Sequence, residues 1–177
     1  MGIYDDKTKQ TKNRRGKGRK SFETVGQNFH IIARRFMENE KLMKLLLINT
    51  KDADSDRTII TPEQIAEAFN DNIRTIPIID KDVNMKNYIV IQAGGFVPTE
   101  NENYMQYLLM FDVICNVRSW EMSDYTPRPY KIMQEIDLLL SQTKIDSLGP
   151  VQFYSASNLV INEEMAGFTL TYSVVSE

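Results

Sequence analysis

The stretch Tyr104 to Val117 constrains the fold of this chain more than any other. Its odd positions, Tyr107, Leu109, Phe111, Val113, Cys115 and Val117, are all apolar. Its even positions mix Leu108, Met110 and Ile114 with Asp112 and Asn116. Side chains alternate between two faces in an extended strand, so this period of two predicts a long strand with one core face. Apolar residues in the second row predict that this side is covered too, by helices or by another subunit. Such a strand commits the chain to a sheet with a layer packed against it.

Other strand signals complete the sheet. Tyr88 to Ala93 reads as a strand ended by the polar loop Gly94 to Asn103, with Gly94-Gly95 as a turn. Val151 to Ser155 and Leu159 to Ile161 read as short strands. Phe168 to Val175 closes the chain, with Phe168, Leu170, Tyr172 and Val174 on one face. Ile76-Pro77-Ile78-Ile79 reads as extended, and its proline places it at an edge or in a linker.

Helical spacing supplies the packed layer. After a cap at Ser21, Phe22, Val25, Phe29, Ile32 and Phe36 recur three and four apart, and the apolar density runs on to Ile48. Thr61-Pro62-Glu63-Gln64 is a helix start, with Thr61 as cap and Gln64 placed to close a capping box. Pro127-Arg128-Pro129 opens another helix, with Ile132, Met133, Ile136, Leu139 and Leu140 inward and Gln134, Glu135 and Asp137 toward solvent. The predicted fold is α/β of the α+β kind: a mostly antiparallel sheet of about four to five strands, helices packed on one face.

Charge divides the chain. Residues 1–20 hold eight bases (Lys7, Lys9, Lys12, Arg14, Arg15, Lys17, Arg19 and Lys20) against Asp5 and Asp6, a net of +6. The remainder holds thirteen bases and twenty-two acids, a net of −9. Blocks of like charge resist folding and serve as interaction tails. The expected organisation is a flexible basic arm at 1–20 and one domain at 21–177. The arm suits non-specific phosphate binding, since no aromatic after Tyr4 is there to stack on bases, or an acidic neighbouring subunit. No apolar segment follows these charges and no run approaches the ~18 residues of a span, so neither a secretory signal nor membrane contact is expected.

Candidate chemistry is sparse. Asp52-x-Asp54-x-Asp56, with Ile59 eighth and Glu63 twelfth, has the spacing and oxygen donors of a calcium loop. The sixth position of such a loop calls for glycine, and here it is Arg57. The plainer reading is a solvated interhelical loop whose Glu63 suits a helix N-terminus, with no metal or cofactor bound tightly. His30, the only histidine, reads as partly buried and structural. Cys115, the only cysteine, excludes an internal disulfide and reads as a small core hydrophobe. Trp120 and Tyr125 read as packing at a strand-to-helix corner. Gly94-Gly95 lacks the Lys-Ser/Thr of a phosphate loop.

Three pieces then follow in order. Leu45-Leu46-Leu47-Ile48-Asn49-Thr50-Lys51-Asp52-Ala53 is a helix end running into a polar loop. Tyr107 to Trp120, with Arg128-Pro129-Tyr130-Lys131-Ile132 and Glu135-Ile136-Asp137, is a long strand and then a helix. Gly149-Pro150-Val151-Gln152-Phe153 with Ala166-Gly167-Phe168-Thr169-Leu170-Thr171-Tyr172 makes two closing strands. In this order and spacing the chain resembles the tail terminator (tail completion, neck) proteins of tailed bacteriophages. The resemblance implies an α/β fold and a structural virion protein without catalysis, forming a hexameric ring that caps the tail tube. The implied partners are further copies of the chain, the tail tube protein and the head-completion or neck protein, with sheath protein as a further contact; non-specific DNA contact is an expectation from the basic arm alone. The implied location is the virion tail, after assembly in the host cytoplasm. It implies nothing about the basic arm. Two rivals stand beside it: a non-specific nucleic-acid-binding accessory protein acting through the arm, and a divalent-metal enzyme on Asp52, Asp54, Asp56 and Glu63. The second lacks the general base and further ligands such chemistry uses.

Overall fold

The alternating stretch forms β3 (Met105–Asn116), the middle strand of a five-stranded sheet. Around it lie β1 (Ile73–Arg74), β2 (Tyr88–Pro98), β4 (Val151–Val160) and β5 (Met165–Ser176), in the order β1-β2-β3-β5-β4. The computed structural model describes residues 22–76, 86–100, 104–142 and 148–176. The arm at 1–20, the cap assigned to Ser21 and Pro77-Ile78-Ile79 lie outside the described residues.

β2, β3, β5 and β4 alternate in direction, and only β1 runs parallel to its neighbour. The fold is therefore α+β, with a mixed but mostly antiparallel sheet. β3 and β5 pair without interruption from Met105 opposite Ser176 to Asn116 opposite Met165. At Gly167 a Cβ would come within 1.8 Å of the Val113 carbonyl oxygen, so this ladder closes only through glycine.

Among the described residues four helices follow the apolar periodicity: α1 (Phe22–Glu38), α2 (Glu40–Leu47), α3 (Pro62–Asp71) and α4 (Arg128–Gln142). Their inward residues, among them Ile32, Phe36, Leu42, Leu46, Ala68, Ile132 and Ile136, share one core with Tyr107, Leu109, Phe111, Val113 and Cys115 of β3. The other face of the sheet carries a small cluster of Tyr88, Val90, Ile114 and Met165, with Leu159 against it. Among the described residues that cluster is built from strand residues alone.

Several elements differ from expectation for identifiable reasons. The apolar run 22–48 is two helices, because Asn39 adopts extended backbone and caps α2 by accepting from the Leu42 amide at 3.0 Å. The Asn39 side chain also donates to Glu135 at 3.1 Å, and Lys41 pairs with Glu135 at 2.8 Å. Glu135, expected in solvent, is therefore buried. The capping box of α3 forms as predicted, with Gln64 N donating to Thr61 Oγ1 and Thr61 N donating to Gln64 Oε1. β2 does not stop at Ala93. It continues through Gly94-Gly95 by a bulge, in which Gly95 takes a φ of +61° that favours glycine. The two short strands expected between 151 and 161 are one strand, β4, held together by continuous pairing with β5 around a second bulge. β1 carried no sequence signal at two residues.

Candidate functional site

The acidic loop between α2 and α3 does not gather its carboxylates. Asp54 pairs with Lys131 of α4, and the same amine reaches Asp124 at 2.6 Å. Asp56 accepts from the Thr58 amide at 2.7 Å, and the Thr58 side chain first and this amide second hold its carboxyl below the usual range. The Asp52 main-chain carbonyl accepts from Ser55. Glu63 is exposed in the first turn of α3, where its own backbone amide and Thr61 favour the charged form. Among the described residues no group of three or more His, Cys, Asp or Glu converges to hold a metal. The eight basic residues of the arm lie outside the described residues.

A cleft of about 750 Å3 opens beside this loop, between α4 and the β4–β5 end of the sheet. Lys131, Asp54, Asp124, Asp137, Tyr172 and Phe153 line part of it. Burial pushes the Lys131 amine down, but its bonds to Asp124 and Asp54 outweigh that and leave it above its ordinary value. Lys131 in turn holds the Asp124 carboxyl low. The Tyr172 hydroxyl donates to Asp137 at 2.9 Å; burial first, and that carboxylate second, push its ionisation far up. Lys131 and Tyr172 thus both keep their protons through neutral pH, and each is already bound to a carboxylate.

The remaining candidates divide. Cys115 is fully buried and its thiol is pushed up to about 12 by desolvation, in keeping with a core residue. Trp120 packs at the corner as expected, its ring 6.3 Å from Phe168 and its indole N–H donating to the Cys115 carbonyl at 3.4 Å. Tyr125 does not pack there: it is 90% exposed and has a φ of 63° in the left-handed region. His30 is not partly buried but exposed on α1, 5.9 Å from the Phe69 ring.

Two of the buried polar residues, neither of them a sequence candidate, tie distant segments together. Arg128 is fully buried at the start of α4. Its guanidinium donates to the carbonyls of Ser119 at 2.7 Å, Leu45 at 2.7 Å, Ile48 at 2.6 Å and Thr50 at 2.7 Å. It thereby satisfies carbonyls left open at the end of α2 and pins that end to α4. A cation at a helix N-terminus opposes the helix dipole, so an arginine between two prolines at such a start was the available signal. Asn87 is the second. Its amide donates to Asn49 Oδ1 at 3.0 Å, and its Oδ1 accepts from Ser119 Oγ at 3.0 Å. Nothing in Lys86-Asn87-Tyr88 marks it in advance.

The most exposed regular element is β4. It forms one edge of the sheet for ten residues, VQFYSASNLV, with no charge and no proline. Tyr154 is 67% exposed and Val160 75%, with Phe153 also open. Edge strands in soluble proteins are ordinarily blunted by lysine, proline or brevity. At the opposite edge β1 covers β2 only at Ile89 and Val90, but it follows that practice, being two residues long and ending in Arg74. β4 does not, apart from its one bulge.

No helix of the described residues is long and apolar enough to cross a membrane. No curated relative matches the chain. Residues 39–174, from the cap of α2 through most of β5, match the YomW family, and the chain belongs to this family of phage-derived proteins.

Proposed function

We propose that the chain is a structural virion protein that forms a ring, of six copies, at the top of a phage tail. There it ends growth of the tail tube and joins the tail to the head-completion complex around the DNA channel. The observation that carries this reading is β4, a ten-residue sheet edge with no charge and open apolar side chains, as a subunit that needs another chain beside it would have. Membership of a phage-derived family and the ordered resemblance to tail terminators support it. The acidic body suits a channel through which DNA slides, because like charge repels phosphate.

The test is a phage lacking the chain. Tails of irregular length, unjoined to heads, are the expected outcome, with the labelled chain imaged as an axial ring in the wild-type particle. Normal tails without it, a single copy, or a two-fold dimer off the axis would end the reading. The charge of the arm favours a second reading, a monomeric accessory protein that binds nucleic acid without sequence preference. Salt-sensitive DNA retention by a monomer, lost on deleting residues 1–20, would select it.

A further inference from the structure

We propose that the sheet runs on from one copy of the chain to the next, the outer edge of β4 pairing antiparallel with residues 91–98 of β2 in the neighbouring copy. This rests on the ring reading and names the contact that closes the ring. Three observations carry it. β4 offers an uncharged outer edge of ten residues with no described strand beside it. β2 is paired on its outer side only at Ile89 and Val90, and beyond Val90 no described strand accompanies it. The third is direction. β2, β3, β5 and β4 alternate, so β4 runs opposite to β2. A rotated copy therefore sets β4 antiparallel to the next β2, and the alternation continues unbroken.

The occupant is a second copy because the two open edges differ. A contact between unlike surfaces repeats around an axis and closes into a ring, whereas β4 against another β4 uses the same surface twice and stops at two. Main-chain hydrogen bonds would supply the attraction, as in strand addition generally. The face is also preserved. Ser157 stands opposite Thr169, Thr169 opposite Asp112, and Val97 opposite Gln106, so Ser157 and Val97 lie on the same strand-only side of the sheet.

Paired cysteines in the full-length chain test this. Cys115 is buried and does not compete as a thiol. Val97→Cys is combined in turn with Gln152→Cys, Ser155→Cys and Ser157→Cys, and each double variant is oxidised in the purified chain and in particles. At least one pair is expected to give a ladder of linked species beyond the dimer, while each single variant gives none. Ala156→Lys with Asn158→Lys, both exposed, is expected to abolish the ladder and leave the thermal unfolding of the subunit in place. Linked dimers from Ser157→Cys alone mean two-fold β4 pairing and overturn the proposal, as does a chain that stays monomeric and unlinked in every pair. A ring imaged on the tail without any ladder sinks the strand pairing and leaves the ring reading standing. A ladder without a ring on the tail does the reverse.

Discussion

The helix-facing row of β3 is apolar throughout and the opposite row only half so, and the two are organised by different physics. On the helix side Tyr107, Leu109, Phe111, Val113 and Cys115 are at most 1% exposed and share one core with side chains of the four described helices. On the other side Ile114 is buried in the small cluster at one end, while Leu108 and Met110 are only half-buried. The polar residues there pair sideways, strand to strand. Gln92 and Thr169 both donate to Asp112 at 2.6 Å, and Gln106 donates to Ser173 at 3.1 Å. One face is specified by exclusion of water and tolerates no charge. The other is held by lateral hydrogen bonds and stays available to a neighbour.

That contrast breaks most plainly at Leu109→Asp. An uncompensated carboxylate on the helix side should cost at least about 4 kcal/mol and unfold or aggregate the chain, read by circular dichroism and solubility. A soluble, cooperatively folding variant would mean the faces are reversed. Arg128→Met comes next. It leaves the carbonyls of Leu45, Ile48 and Thr50 at the end of α2, and that of Ser119, without their donor, and a loss of about 3 kcal/mol in denaturant unfolding is expected; no change would show that water replaces the guanidinium. On the strand-only side Asp112→Ala removes two lateral hydrogen bonds and should cost about 1 kcal/mol while leaving the fold intact. Equal penalties at Leu109 and Asp112 would erase the distinction between the faces.

Smaller effects sharpen it at the rim. Lys131→Met should lower the unfolding temperature slightly and in a pH-dependent way. Asp124 is held below its ordinary 3.8, so its share is present above that value and fades as pH falls through the lower folded value. Lys131 is held above its ordinary 10.5, so its share is complete below that and fades as pH rises through the higher folded value. The gap between wild type and variant should be widest between these limits and close on both sides; a gap indifferent to pH would mean the amine acts only through packing. The smallest effect is expected from deleting residues 1–20. Lacking apolar residues after Tyr4, the arm should leave the melting temperature within a few degrees while altering assembly. A collapse in melting temperature would place the arm in the core.

Legibility followed the range of the interaction. The calcium-like spacing of Asp52, Asp54, Asp56 and Glu63 was readable along the chain, but the fate of Asp54 depended on Lys131, which lies 77 residues away. The edge strand was half readable: its lack of charge is plain, yet Ser155, Ser157 and Asn158 argue against a continuous strand, and only pairing with β5 overrides them. Gly94-Gly95 looked like a turn because local propensity puts glycine there, whereas partners on β3 extend β2 through it.

By itself, then, the sequence determined the elements whose signal is periodic or local. These are the alternating β3, the amphipathic faces of α1 and α4, and the Thr61–Gln64 capping box, because burial at fixed spacing and caps within one turn need no distant partner. Only the tertiary structure decided that Arg128 and Asn87 would be buried, that Glu135 would join them, and that β4 would stand at an unguarded edge. Each of those outcomes depends on a carbonyl, carboxylate or strand far away in the chain, and such partners acquire a position only when the layers close.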